Sequence, residues 1–318
     1  MTDIYSQQKR NKFVTILLMF SFFVFALIVG FAVDVYMNGG LRAISLPVFT
    51  AAAAVLAAVN GMVSYFYGAG IVLHSLGATA LDFTNPKHKT LHNVVTEMCI
   101  ASGMPMPKVY VIADPAPNAF AAGRNPQNAS VGVTEGLLDI MSRDELQAVI
   151  AHELGHVKSR DILTMTFVTV LLGTVSLLSD WAIRAWRYGG VRTRRKSGIP
   201  ALIMLFIGLF VLVSPIVSRI MAMAISRNRE YQADVSSAEF TRNPGALASA
   251  LSKISGVSSP LKGARRGTAH LFISDPLRRK IDDREGFVAD ILSTHPPIER
   301  RIERLQKMAY IYSRQVKK

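Results

Sequence analysis

His152, Glu153 and His156 stand in the run His152-Glu153-Leu154-Gly155-His156. A helix of about 3.6 residues per turn brings positions four apart onto one face. Two imidazole nitrogens can then meet one metal ion. Glu153 lies beside them, placed to take a proton from an activated water rather than to bind the metal. A catalytic zinc usually has three protein ligands and keeps one position for water, so a third donor must come from elsewhere. Glu230 is the leading candidate, and Asp234, four residues on, shares its helix face and can hold the far nitrogen of a ligand histidine. The bland alternatives are a helix with two unconnected histidines, a surface carboxylate at Glu230, and an ion pair from Asp234 to Arg227 or Arg229.

The elements that must position these residues are legible nearby. Ser142-Arg143-Asp144-Glu145 is a capping box that opens the histidine helix. Lys87 to Ala101 reads as another helix, with Pro86 at its start and Gly103 past its end. Pro107–Ile112 and Ala129–Val133 are short β-branched runs, separated by the turn chemistry of Asp114-Pro115, Gly123 and Asn125-Pro126, so a small sheet is expected. Arg227 to Glu239 reads as the helix carrying Glu230, and Ile298 to Lys318 as a basic last helix after a loop at 255–267.

Half of the 318 residues are hydrophobic, and the apolar residues gather in long runs that favour a membrane protein. Lys9, Arg10 and Lys12 precede the uncharged run Phe13–Val33, long enough to cross a hydrocarbon core of about 30 Å. A second span covers Ile44 to about Tyr67, and the basic amino-terminal flank places that end in the cytoplasm. Ile162–Ser179 and Ile199–Ser218 form a third and a fourth apolar segment. Between them stand Arg184, Arg187, Arg192, Arg194, Arg195 and Lys196, where a simple hairpin would put its translocated loop. Two readings stay open: full crossings against the charge bias, or a shallow hairpin that never translocates the loop. The net charge of +14 lies largely beside apolar runs, which points to anionic lipid headgroups and away from nucleic acid. Cys99 is the single cysteine, so no intrachain disulfide forms, and it reads as a small buried hydrophobe rather than a nucleophile.

Three ordered motifs now stand together: His152-Glu153-Leu154-Gly155-His156, then Glu230-Tyr231-Gln232-Ala233-Asp234, then Ser293-Thr294-His295-Pro296-Pro297-Ile298-Glu299-Arg300-Arg301-Ile302. With the apolar pairs before and after the metal helix, they resemble the M48 family of membrane zinc metalloproteases over essentially the whole chain. The resemblance implies a gluzincin site in which His152, His156 and Glu230 bind one Zn2+ per subunit and Glu153 is the general base. It implies a multi-pass protein of the bacterial inner membrane with its catalytic domain in the cytoplasm, acting on misfolded membrane proteins in quality control and stress response. Asn118-Ala119-Phe120 resembles the family's segment beside the active site, where an extended peptide would pair with a sheet edge. His295, fixed by two following prolines, is a candidate transition-state donor or resting-state ligand. His74, His88, His92 and His270 have no such context and read as structural or surface residues.

The expected fold is α+β and mostly helical: a gluzincin-type domain with a small β-sheet, attached to about four transmembrane or membrane-embedded helices. Residues 1–81 form an amino-terminal membrane domain, 82–161 the first part of the protease domain, 162–225 the second hydrophobic pair, and 226–318 the part with the third ligand. The expected partners are membrane-protein substrates and the lipid bilayer. The competing classes are a noncatalytic membrane chaperone or scaffold that keeps zinc for folding, and a lipid-anchored binding module using the basic loop. Glu153 speaks against the scaffold, because a structural zinc takes four protein ligands and needs no base.

Overall fold

A computed structural model of the chain describes residues 4–38, 40–41, 46–188, 227–257, 271–273 and 296–316. The fourth apolar segment, the basic stretch from 189 to 196, the loop at 258–267, His270 and His295 lie outside the described residues.

Two apolar helices open the chain, α1 (Ile4–Met37) and α2 (Val48–Ser75). Both are long and apolar enough to cross a membrane, over Ser6–Val35 and Val48–Ser75. Phe13, Phe20, Leu56 and Met62 stand exposed on their outer sides, a surface that hydrocarbon accepts and water penalises. Both helices outrun the apolar runs that announce them. The polar first turns of α1 dock on the catalytic domain, and α2 continues past Tyr67 because Gly68 lets it press against Thr166, where a Cβ would sit 2.9 Å from the Thr166 methyl. Asp34 closes the hairpin: its Oδ1 accepts from Phe49 N at 3.0 Å and its Oδ2 from Thr50 N at 2.7 Å, satisfying amides that the start of α2 would otherwise leave unpaired.

The sheet has the order β1-β2-β4-β3, with β1 (Ala78–Ala80), β2 (Lys108–Ile112), β3 (Ala119–Gly123) and β4 (Ala129–Thr134). β2 runs parallel to β4 with Lys108 opposite Ser130, and β3 runs antiparallel to β4 with Ala119 opposite Val133. The two β-branched runs became β2 and β4. The resemblance put Asn118-Ala119-Phe120 at a sheet edge, and strand β3 runs from there to Gly123 although Ala-Phe-Ala-Ala-Gly has little strand propensity; all five residues are buried, so tertiary packing decides it.

Helix α3 (Pro86–Ser102) begins with the Asn85 side chain accepting from Lys87 N and ends at Gly103, whose φ of 68° suits a residue without Cβ. After the short α4 (Glu135–Ile140), the capping box at Ser142 and Glu145 starts α5 (Arg143–Lys158). α6 (Asp161–Tyr188) continues the third apolar segment and packs on α1 and α2, with Thr15 and Thr164 hydroxyls 2.7 Å apart and Leu18 against Phe167, Val168 and Leu171. α7 (Arg227–Thr241), α8 (Pro244–Gly256) and α9 (Ile298–Val316) complete the described chain. The main core joins Leu91 and Val95 of α3, Val131 and Val133 of β4, Ile150 and Leu154 of α5, Leu247 and Leu251 of α8, and Leu305 of α9. α5 runs through its middle, buried continuously from Ala148 to Val157. Two histidines and a glutamate inside such a helix carry a heavy desolvation cost unless they are paired or bind a metal.

Candidate metal centre and active site

His152 and His156 lie on one face of α5, their ring centroids 5.0 Å apart. α7 crosses α5 closely and brings Glu230 to them: Glu230 Oε2 is 3.8 Å from His152 Nε2 and Glu230 Oε1 is 3.7 Å from His156 Nε2. One ligand atom from each of the three residues falls within 4.8 Å of the others, and all three side chains are buried. The crossing is tight because residue 155 is glycine; a Cβ there would lie 3.0 Å from Ser236 Cβ and 3.2 Å from Ala233 Cα. Ser237 Oγ donates to Ala148 O at 2.7 Å and locks the pair of helices.

Each imidazole is backed by a carboxylate. Asp234 Oδ1 lies 3.0 Å from His152 Nδ1, which places the ring proton there and turns the Nε2 lone pair toward Glu230. Asp161 Oδ2 lies 3.4 Å from His156 Nδ1 and does the same for the second ring. Asp234 was expected from its i+4 spacing to Glu230; Asp161 was not, although a carboxylate five residues after the second histidine was visible. Arg229 Nε stands 3.4 Å from Asp161 Oδ1.

Arg301 is the other residue that the sequence did not single out for a role. It is a fully buried guanidinium, with Nε 3.0 Å from Asp234 Oδ2, Nη2 2.6 Å from Asp234 Oδ1, Nη1 3.1 Å from Glu230 Oε2, and Nη1 donating to Ile273 O at 2.9 Å. Burial raises the Asp234 carboxyl, but Arg301 and His152 outweigh it and hold the group below its ordinary value.

Glu153 is 1 % exposed. Burial pushes its carboxyl up to about 7, with Glu230 adding to the rise and His156 and Arg301 opposing it. The Ala121 N–H on the outer edge of β3 bonds this carboxylate, whereas Glu153 Oε2 has no hydrogen-bond partner among the protein groups. Burial opposes a charge on His156, yet Asp161, Glu230 and Glu153 outweigh it and raise the ring to about 9. The same field favours a divalent cation among these side chains. Two imidazole nitrogens and one carboxylate suit zinc, and the orphaned Glu153 oxygen suits a water that needs a base.

Asn118, Ala119 and Phe120 lie at the start of β3. Asn118 N donates to Thr134 Oγ1 at 2.8 Å, and the Phe120 ring is wholly buried over Gly132, where a Cβ would meet it at 2.3 Å. Phe120 also meets Phe272 edge-on, at 5.3 Å between centroids. The backbone of Ala119 faces the outer edge, and its carbonyl accepts from Ile273 N at 3.1 Å. Of the residues read as structural, His88 accepts from Asp82 N at Nδ1 and meets Glu135 Oε1 at 2.8 Å, and Cys99 is a buried thiol that burial pushes up to about 11.

Fold and site together set a His-Glu-x-x-His helix against a carboxylate from a separate helix, beside apolar helices, with three side chains that could hold a metal ion. The model for Peptidase family M48 matches residues 85–309, and the chain belongs to that family. It is similar along nearly its full length to proteins named Protease HtpX homolog. The one from Caldanaerobacter subterraneus subsp. tengcongensis is 43% identical over 310 residues, covering 96% of this chain and 98% of that protein. The one from Tropheryma whipplei (strain Twist) is 41% identical over 306 residues, with 96% and 98% covered. Among solved structures, the crystal structure of S. mikatae Ste24p aligns with a TM-score of 0.49 at 17% identity, covering 95% of this chain and 67% of that one. The chain is thus a membrane metalloprotease of the M48 family.

Proposed function

We propose that the chain is a zinc-dependent endopeptidase that cuts misfolded or damaged membrane proteins on the cytoplasmic face of a bacterial inner membrane. His152, His156 and Glu230 are the ligands in this reading and Glu153 is the general base. The observation that carries it is the Glu153 carboxylate, buried beside the three donors and without a hydrogen-bond partner at Oε2. Zinc bound here would supply Lewis acidity to a water and to the scissile carbonyl. Glu153 accepts the water's proton at Oε2 and passes it to the leaving amine. Asp234 and Asp161 hold the two rings in the ligating tautomer, and Arg301 neutralises Asp234 behind them.

An extended substrate would pair with the outer edge of β3 at Ala119, taking the carbonyl that Ile273 N–H now occupies. His295 would serve as an additional donor or as a resting-state ligand. The cytoplasmic assignment is supported by contact: Gln8 and Asn11, set among Lys9, Arg10 and Lys12, touch residues 158–161 directly after His156. The site therefore shares a membrane face with the basic end of α1, and that end stays inside.

The deciding experiment measures bound zinc and degradation of an unfolded membrane protein in proteoliposomes. His152→Ala, His156→Ala and Glu230→Ala should lose both zinc and activity, while Glu153→Gln keeps zinc and loses activity. Bound zinc in the wild type without any proteolysis would favour the zinc-containing scaffold instead, and proteolysis by Glu153→Gln at the wild-type rate would overturn Glu153 as the base.

A further inference from the structure

The carboxy-terminal end of α5 lies two residues beyond His156, and its last carbonyls need donors from outside the helix. They come from the first membrane helix. Gln8 Nε2 donates to Lys158 O at 2.7 Å and Asn11 Nδ2 to Ser159 O at 2.9 Å. The corner they hold is strained, for Arg160 adopts a φ of 60° in the left-handed region. Asn11 Nδ2 also reaches Asp161 Oδ1 at 2.5 Å, in a contact where both residues are buried, at 2 % and 1 % exposure. The other oxygen of Asp161 takes the Ser159 hydroxyl at 2.8 Å and faces His156 Nδ1 at 3.4 Å. A continuous path of three side chains therefore runs from the membrane helix to a ligand: Asn11, Asp161, His156.

We propose that Asn11 is a positioning residue for the metal ligand His156, acting through Asp161, so that the seat of the first membrane helix sets the affinity of the metal site. The inference rests on the zinc-protease reading above. In a buried site the Asp161 carboxylate turns toward whichever donors remain. Without Asn11 the nearest are Ser159 and Arg229, the latter 3.4 Å from Oδ1 on the side away from His156. The ring then loses a fixed acceptor behind Nδ1, and its Nε2 is no longer held toward Glu230. Gln8 and Thr15 lie on the same helix and meet the same domain, but neither touches Asp161. They separate this role from general helix packing.

The test is zinc affinity by chelator competition on the full-length protein in detergent, with unfolding of the chelator-treated protein measured alongside. Asn11→Ala should weaken zinc about 10-fold, at the lower end of what loss of an outer partner costs. Thr15→Val, which removes the contact with Thr164 and the hydroxyl's bond to the Asn11 carbonyl but leaves the Asn11 side chain and Asp161 in place, should leave affinity at the wild-type value. Asp161→Ala should weaken zinc at least as much as Asn11→Ala, and the double variant should be no weaker than Asp161→Ala alone, since one path is broken twice. Wild-type affinity in Asn11→Ala, an equal loss in Thr15→Val, or an additive double variant would each overturn the proposal. Should Asn11→Ala not fold, Asn11→Ser is measured under the same criteria. The two readings fail separately: a wild-type protein without zinc or without proteolysis overturns the protease, whereas the Asn11 result is read from zinc affinity without any cleavage.

Discussion

Arg301 closes the metal centre from the far end of the chain, with its Nη2 2.6 Å from Asp234 Oδ1 while Asp234 Oδ1 also lies 3.0 Å from His152 Nδ1. One carboxylate thus joins a guanidinium on α9 to an imidazole on α5. The arrangement makes α9 part of the site, although among the described residues it packs mainly on α7 and α8.

Removing Arg301 should therefore be felt in stability before chemistry. Arg301→Leu leaves Asp234 and Glu230 buried without their cation, which costs about 3–5 kcal/mol when one partner of a buried pair is deleted. Arg301→Lys should restore little, since an ammonium cannot span two carboxylates and the Ile273 carbonyl with a planar fork. Denaturant unfolding of the chelator-treated protein measures the loss, and saturating zinc should recover part of it by mass action. A stability within about 1 kcal/mol of wild type would mean that the carboxylates find other partners.

Gly155 sets the distance between the two ligand helices. Gly155→Val needs room where Ser236 Cβ and Ala233 Cα already stand at 3.0 and 3.2 Å from a single added carbon, so α7 must shift and take Glu230 and Asp234 with it. Zinc affinity by chelator competition should fall about 10-fold or more. Gly155→Ala should fall less, because the gain in helix propensity of about 1 kcal/mol offsets a smaller displacement. Unchanged affinity in Gly155→Val would show that α7 slides without moving its ligands.

What the sequence discloses here is what lies within one helix or one turn. The histidine pair, Glu153, the capping box at Ser142 and the spacing of Glu230 to Asp234 are local patterns of period 3.6, and they could be read directly. Asp161, Asn11 and Arg301 act across the fold: Asn11 and Asp161 are 150 residues apart, and Arg301 is 149 from His152. Arg301 stands inside the third motif and Asp161 five residues after His156, but nothing local to either, or to Asn11, tells which side chain it will meet. The extent of strand β3 beyond Phe120 was hidden for a related reason. Its alanines make a strand only because burial against β4 and α5 leaves no room for larger side chains, as the Phe120 ring over Gly132 demonstrates.

Glu145 provides a pH-dependent test of the helix that carries the histidines. Burial alone would raise its carboxyl, but Lys253 Nζ at 2.6 Å, Ser249 Oγ at 2.7 Å and Ser142 N at 2.7 Å outweigh that and lower it from 4.5 to about 2. The folded value is depressed, so the unfolded chain takes up the proton first as pH falls. The contribution is complete above about pH 4.5 and is lost between there and about pH 2. Lys253 is 42% exposed, and solvent screening reduces the effect to about 1–2 kcal/mol. Unfolding of wild type and Glu145→Gln, compared at pH 6 and pH 3, should show the wild type losing more than half of that contribution. Parallel pH profiles would leave Glu145 without a stabilising role.

The last prediction follows from how near the metal centre lies to the apolar surface. Asp161, which backs His156, is the first residue of α6, and Asn11, bonded to it, stands two residues before the uncharged run that begins at Phe13. Two residues of helix rise only about 3 Å. Gly123, at the end of the strand whose Ala121 N–H bonds Glu153, donates to Thr166 Oγ1 on the same apolar helix at 3.0 Å. In the proposed reading the site thus lies close to the headgroups. Segments tethered near the membrane reach it at high effective concentration, whereas a soluble chain must find it by diffusion. Preferred substrates should be membrane proteins cut in cytoplasmic loops or juxtamembrane ends once these unfold, with soluble unfolded chains cut more slowly. One cleavable segment placed at increasing linker distances from a transmembrane anchor, and also in a soluble carrier, tests this at matched concentrations in proteoliposomes. The rate should be highest at short linkers, fall as they lengthen, and be lowest for the soluble carrier. Equal rates for anchored and soluble forms, or fastest cutting at the longest linkers, would remove the membrane-proximal advantage.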